Sequence, residues 1–409
     1  MNCRHCAAPL EHVFIDLGAA PPSNAFLTAD QLAGGETHYP LKLFVCGRCF
    51  LVQVPEHAKA SDIFSADYIY FSSMSSSWVE HARTYVDMIS QRLKLTASSR
   101  VVEIASNDGY LLQHFVAREI PCLGIEPAQA TADVARAKGI PVMSKFFGRS
   151  TAKELVSDGW RADLIVGNNV LAHVPDINDF TAGLAIALEP GGVVTLEFPH
   201  LLRLIDRGQF DTIYHEHYSY FSLGTAMAVL ARHGLAAVDV EELETHGGSL
   251  RIYVRHHDAA AGASPNIANV LAAERARGLD RLDGYRDFQA KADSVKNQFM
   301  AFLIKERHAD RIVVGYGAAA KGSTLLNYAG VRPDLLRWVA DASPYKQGRY
   351  FPGCRIPVVS EKGLRALRPD SVVLLAWNLR EELCRQLAYI KEWGGQFVVA
   401  IPKLEIFAP

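Results

Sequence analysis

An apolar run, Arg100 to Ala105 (RVVEIA), stops at a polar turn, Ser106-Asn107-Asp108-Gly109, and a second run, Cys122 to Ile125 (CLGI), ends in Glu126-Pro127. Strands separated by helical intervals predict an open α/β sheet. Further strands at Asp163 to Gly167, Gly192 to Glu197, Ala236 to Val240 and Leu250 to Val254 continue the alternation, for about seven strands in all. Ligands in such sheets bind beyond the carboxyl ends of the strands. Glu126, about 20 residues after the turn, stands where an acid grips ribose hydroxyls.

The turn decides between cofactors. EIASNDG has only Gly109, and lacks the glycine pair of GxGxxG that lets a backbone approach a pyrophosphate. S-adenosylmethionine has no phosphates, so a turn with fewer glycines suffices for it. The segment resembles the E/D-x-G-x-G-x-G motif of the class I S-adenosylmethionine-dependent methyltransferases, in the degenerate form Glu103 to Gly109. Asn168-Asn169-Val170-Leu171-Ala172-His173-Val174 follows the next strand as in those enzymes. The resemblance implies that Glu103 shapes the loop as a buried strand carboxylate. It also implies that Ser106, Asn107, Gly109, Glu126, Asn168 and Asn169 line the cofactor site.

Asp211 to Ser222, DTIYHEHYSYFS, gathers three tyrosines, two histidines and a glutamate just after an apolar strand. Histidine titrates near neutrality and is tuned by neighbouring carboxylates and phenols, so Tyr214-His215-Glu216-His217 reads as an acid/base cluster. The competing reading is a polar loop whose aromatics cap a core. HEH lacks the i, i+4 histidine spacing of a zinc protease.

The 409 residues exceed what one core organises, so two or three domains are expected. A formal charge of -2 gives no basic surplus for nucleic acid. No apolar run approaches the roughly 18 residues of a membrane span. The start, MNCRHCAAPL, lacks a signal-peptide pattern, and a cytoplasmic location is expected. Four of the seven cysteines form two CxxC pairs, Cys3/Cys6 and Cys46/Cys49, the ligand set of a tetrahedral structural zinc. The 39 residues between the pairs require a small sheet to return the chain. His5, His12 and His38 are expected at the surface, not on the metal, and Cys122, Cys354 and Cys384 as packing residues.

After about residue 260 an Ala- and Arg-rich stretch and an amphipathic pattern over Asp280 to His308 lead into a second βα unit, RIVVGYGAAAKGST (Arg311 to Thr324). Gly315 and Gly317 permit a tight turn, the next helix begins with free amides, and Lys321 adds a positive charge: a cradle for a diphosphate. Three residues, not four, separate Gly317 from Lys321, so this is not a Walker A loop. Asp341 closes the next strand and completes a Rossmann-like half suited to NAD or to a sugar nucleotide. A nucleotide fold kept only as scaffold is the competing reading.

Zinc module, methyltransferase core and C-terminal Rossmann-like unit, in this order, resemble the sugar C-methyltransferases of deoxysugar biosynthesis over nearly the whole chain. The marks are the paired CxxC motifs, the YHEH cluster, His246-Gly-Gly-Ser-Leu-Arg251 and GYGAAAKG. The expected units are a zinc module over 1–65, the methyltransferase domain over 66–259 and a nucleotide-sugar domain over 260–409. The resemblance implies a base at His217, flanked by Tyr214 and Glu216, with His173 lining the site and Tyr68, or else Tyr70, closing it. It further implies that Lys321 and nearby amides hold the diphosphate, and that the loop from Asp341 through Lys346 to Gly353 meets base or sugar. The substrate would be a dTDP- or other NDP-linked 4-ketohexose, methylated next to the ketone at C3 or C5, on a monomer or small homo-oligomer. An NAD-dependent sugar oxidoreductase or epimerase and a non-catalytic zinc-containing assembly protein remain the alternatives.

Overall fold

The computed structural model describes residues 1–57, 71–259 and 262–409. Tyr68 and Tyr70 lie outside them, as do the expected boundary at 65/66 and the start of the third unit at 260. The first strands, β1 (His12–Ala20) and β2 (Tyr39–Val45), form an antiparallel pair, His12 opposite Val45, which brings the second CxxC back to the first. This is the returning sheet that the cysteine spacing requires. β3 (Val52–Gln53) extends it.

The central strands are β4 (Val101–Ile104), β5 (Cys122–Ile125), β6 (Val142–Met143), β7 (Ala162–Asn168) and β8 (Leu188–Pro199). β9 (Ser219–Tyr220) leaves this unit and pairs antiparallel with β3, and β10 (Leu235–Leu243) and β11 (Ser249–His256) return to it. The sheet order is β10-β11-β8-β7-β4-β5-β6, with β11 antiparallel to both neighbours and the other contacts parallel. This is the seven-stranded sheet that the alternation predicts. β4 and β5 are buried along their whole length, as strands covered by helices on both faces must be.

A helix over Pro265–Arg277 packs Ile267 and Val270 into the central core. The next long helix, Phe288–His308, is shorter than its apolar pattern, because Asp287 turns left-handed (φ 71°) immediately before it. The last sheet contains β12 (Val313–Tyr316), β13 (Val339–Ala340), β14 (Val358–Val359), β15 (Ser371–Leu374), β16 (Gln396–Val399) and β17 (Glu405–Phe407). Its order, β14-β13-β12-β15-β16-β17, is parallel except at β17 and reverses direction at β12, a Rossmann-like switch point.

The terminal units share one core. Phe14 of β1 stacks on Phe288 with centroids 4.9 Å apart, and Leu43, Phe299, Leu326 and Val339 belong to the same buried cluster. Such a stack adds about 0.5 to 1.5 kcal/mol beyond its buried area. The first and last units are thereby joined to each other and face the carboxyl ends of the central strands.

Candidate active site

A cavity of about 940 Å³ opens where the three units meet. Asn24 comes from the first, Asn107, Glu126, Asn168, His173, Tyr214, Glu216 and His217 from the second, and Lys321 and Lys346 from the third.

On the cofactor side, Asn107 and Gly109 take φ of +50° and +76° after β4. A Cβ on Gly109 would stand 2.3 Å from Ile140, so the single glycine kept in this turn is sterically required. The Glu126 carboxylate accepts from the Asn107 amide (2.9 Å) and the Ala128 amide (2.8 Å). It holds the turn to β5. Glu103 is buried behind the turn. Burial, with Glu126 and Asp108 nearby, raises its pKa well above the usual carboxylate range, and it supports the loop from behind. Ser106 and Gly109 likewise shape the turn from behind the cavity lining. Both side-chain atoms of buried Asn168 lack a partner among the described residues, at the end of β7 where a ligand would meet them. A preformed turn, a carboxylate and an orphaned amide around an open cavity fit an amino-acid-bearing nucleoside.

The YHEH segment divides. His215 points away, toward the Tyr39 carbonyl (3.2 Å), and does not line the cavity. Glu216 and His217 do. Asn24 donates through Nδ2 to both Glu216 oxygens, at 2.9 and 2.8 Å. Burial still pushes the Glu216 pKa up to about 7, against Asn24 and Lys346, which lower it. His217 Nδ1 lies 2.9 Å from the Thr212 carbonyl. A carbonyl can only accept, so Nδ1 carries the proton and Nε2 keeps its lone pair. Burial, then the neighbouring His173, Lys321 and His246, hold the His217 pKa well below 6.5. The ring is neutral at physiological pH and competent to take a proton. His173 is 4.6 Å from it edge-on and Tyr214 is 4.0 Å away, ring to ring. Burial holds His173 down to about 4.

Lys321 is buried in the first turn of the helix Ala320–Ala329. Its ammonium donates to Asn378 Oδ1 (2.9 Å) and sits 4.4 Å from the Trp377 ring centroid. Burial lowers its pKa to about 8, opposed by Asp211. Lys346 donates to the Ala318 carbonyl (2.7 Å) and lines the cavity. Asp341 accepts from the Ala318 and Ser343 amides (2.6 and 2.7 Å), so it fixes the loop from behind, as do Gly315 and Gly317. A Cβ on Gly315 would meet Val339 at 2.8 Å.

Several residues in and around the cavity carry no site role in the sequence analysis. His246, at φ +54°, meets Asn169 Nδ2 through Nε2 (3.0 Å). His81 and Arg251 grip the buried Glu197 at 3.0 and 2.8 Å. Burial would raise the Glu197 pKa, but these partners and Thr245 hold it below the usual range. A carboxylate in an apolar strand, GGVVTLEFP, was the available signal for that cluster. Asn24, Trp377 and Asn378 carry no local signal.

The four cysteine sulfurs of the expected zinc set lie within 4.8 Å of one another, with Cys3 to Cys49 at 3.6 Å and Cys6 to Cys46 at 3.5 Å. Tetrahedral zinc with bonds of about 2.3 Å separates its sulfurs by about 3.8 Å, so the set fits. His5, expected at the surface, is buried against Asn178 (3.4 Å) and is not a ligand of this set.

Three family models match in order: a zinc binding domain over residues 3–64, a methyltransferase domain over 78–240 and a C-methyltransferase C-terminal domain over 244–402. C-methyltransferase NovU of Streptomyces niveus is 35% identical over 408 residues, 100% of this chain and 97% of its own length. The chain belongs to the C-methyltransferase family. Among solved structures, an S-adenosylmethionine-dependent methyltransferase from Archaeoglobus fulgidus is 16% identical, covering 41% of this chain and 73% of its own, with a TM-score of 0.34. Magnesium protoporphyrin IX methyltransferase from Synechocystis is 13% identical over 49% of this chain and 100% of its own, TM-score 0.35. The C-methyltransferase is S-adenosylmethionine-dependent, has the class I fold and binds zinc at its four clustered cysteines. Among the described residues no helix is long and apolar enough to cross a membrane.

Proposed function

We propose that this C-methyltransferase acts on a nucleotide-linked 4-ketohexose, removing a proton from the carbon next to the ketone, C3 in our reading, and methylating the resulting enolate. The observation that carries the reading is the neutral His217, its Nδ1–H fixed on the Thr212 carbonyl and its Nε2 lone pair left for a proton, in one cavity with the Glu126 turn. S-adenosylmethionine supplies a methyl that is already electrophilic, so the residues must generate and aim a carbon nucleophile. Carbon becomes nucleophilic only when its C–H bond is broken, and a neighbouring ketone makes that proton acidic.

His217 Nε2 takes the proton and the bonding electrons move into the enolate; with S-adenosylmethionine bound, those electrons would form the new carbon–carbon bond as the methyl–sulfur bond broke and its electron pair left on the sulfur of S-adenosylhomocysteine. Glu126, Asn107, Asn168 and Asn169 bind the cofactor, while Glu103, Ser106 and Gly109 shape the turn that presents it. Tyr214 and His173 pack against the base and fix its plane. Glu216, hydrogen-bonded to Asn24, holds the loop's other face. Lys321 and the amides that follow Gly317 bind the diphosphate, and Lys346 meets the nucleoside side. Burial is the main cause of the depressed His217 pKa, and an anion on Lys321 would offset only the smaller part that this lysine's charge contributes.

The test is isotopic. With methyl transfer blocked by S-adenosylhomocysteine, the wild type should exchange the acceptor-carbon hydrogen with D₂O, and His217→Asn should lose that exchange by about 10²- to 10⁴-fold while binding both ligands. Exchange at the wild-type rate in the variant would move the base to another group.

A further inference from the structure

One residue, Arg4, reaches from the zinc knuckle to both histidine-bearing loops. Arg4 lies between the metal ligands Cys3 and Cys6. Its Nη1 donates to the Pro175 carbonyl at 2.9 Å, two residues beyond His173, and its Nη2 donates to the Val54 carbonyl. Val54 in turn donates from its amide to the Tyr218 carbonyl (3.1 Å), the residue directly after His217. The Arg4 guanidinium stands 5.4 Å from the Tyr218 ring centroid.

Secondary contacts close the frame. Gln53 accepts from the Arg4 amide (2.9 Å) and donates to Cys3 Sγ (3.2 Å). Gln53 pairs with Ser219 and Val52 with Tyr220, so the strand leaving Cys49 is hydrogen-bonded to the strand leaving His217. On the other side, Asn178 Nδ2 donates to the Arg4 and His5 carbonyls, both at 3.0 Å, from the helix that follows Pro175. A guanidinium suits this task, since its planar fork places several donors at fixed angles.

We infer that Arg4 is a positioning residue, which sets the His173 and His217 loops against each other and makes the metal site part of the catalytic geometry. Nothing in this chain of contacts touches the Glu126 turn. Loss of Arg4 should therefore separate the two halves of the cavity: cofactor binding unchanged, histidine pair displaced. Misplacement by about 1 Å costs up to about 10²-fold in rate.

The experiment compares wild type with Arg4→Met and Arg4→Lys in the full-length zinc-loaded chain. Zinc content and S-adenosylhomocysteine affinity should match wild type. With selectively labelled histidine, the imidazole NMR signals of His173 and His217 should move in Arg4→Met, a readout independent of the substrate's identity. Methyl-transfer kcat should fall about 10- to 100-fold with the KM for S-adenosylmethionine unchanged. Arg4→Lys, which keeps a cation and donors, should recover part of both. Unmoved imidazole signals in a folded, zinc-loaded Arg4→Met overturn the inference, and so does loss of zinc from both variants, which would make Arg4 a support of the metal module alone. If Arg4→Met does not fold, Arg4→Lys decides by the same signals. A failed sugar substrate leaves the NMR result standing, and so tests the proposed function separately.

Discussion

Glu216 carries the most telling electrostatic statement in the cavity, because its pKa rises from 4.5 to about 7 on folding. An acid whose folded pKa lies above its unfolded value is bound to its proton more tightly in the fold. It therefore lowers stability as pH rises from 4.5 to 7, and the deficit is complete above that window. Two and a half pKa units at 1.36 kcal/mol each give about 3 kcal/mol. Glu216→Gln removes the ionisation. It also turns an amide toward Asn24 Nδ2, where the carboxylate accepts at 2.9 and 2.8 Å, and so gives up one hydrogen bond worth about 1 kcal/mol. The variant should thus be less stable than wild type by about 1 kcal/mol at pH 4.5 and more stable by about 2 kcal/mol at pH 8. Urea unfolding at a series of pH values, followed by tryptophan emission, measures the difference between the two proteins and cancels every other titrating group. A difference that stays flat from about pH 4.5 to 8.5 would refute the reasoning: Lys346 would then outweigh burial, and the carboxyl would be ionised throughout.

The remaining expectations concern the ligands. Glu126→Gln leaves one of the Asn107 and Ala128 amides unpaired where alanine orphans both; it should weaken S-adenosylmethionine binding by about 1.5 to 3 kcal/mol in calorimetry. Unchanged affinity would take Glu126 off the ribose. Lys321→Met should raise the KM for a nucleotide-linked substrate roughly 10- to 150-fold and leave cofactor affinity alone; equal substrate saturation, or copurifying NAD, would count against a diphosphate there. Cys46→Ser should bring the zinc content from one ion per chain to none and loosen the N-terminal unit, since closing a four-thiolate site substitutes for core in so small a module. Retained zinc in that variant would mean that the ligand set is wrong.

What the sequence disclosed was whatever is local. The turn after β4, the acid after β5 and the two CxxC pairs each declare themselves within a few residues, and the structure brings each set together. The alternation of strands also yielded the central sheet, though not its weak edge, the two-residue β6, or the departure of β9 to the N-terminal sheet. Those depend on pairing partners distant in the chain. The same holds for the site. Tyr214, Glu216 and His217 are close in sequence, but burial sets the protonation of Glu216 against a hydrogen bond from Asn24, 192 residues away, and burial beside Trp377 and Asp211 sets that of Lys321. His215 belongs to the same YHEH cluster but is turned to the Tyr39 carbonyl, a partner distant in the chain that nothing local reveals. His5 looked like a surface residue because nothing local reveals that Asn178 and Arg232 close over it.

The arrangement also explains why a methyl transfer to carbon would occupy three units where a single sheet binds the cofactor. Forming an enolate requires a neutral base, and an exposed imidazole, screened by water from nearby lysines, would keep a pKa of about 6.5 and stay partly protonated near neutrality. Here burial does the work: His173 and His246 are held near 4, His217 well below its usual range, and Lys321 at about 8. Such burial cannot come from the carboxyl ends of one open sheet, whose ligand face is a crevice. It comes from the shared core of the first and last units, which presses Asn24 and the helix Ala320–Ala329 onto the YHEH segment. Thr324 Oγ1 donates to the Ile213 carbonyl at 2.8 Å at that seam. The central unit alone can hold the Glu126 turn, since the hydrogen bonds of that carboxylate come from the turn after β4 and from the helix start after β5. The half proposed for proton transfer, around His217, is assembled from side chains of all three units.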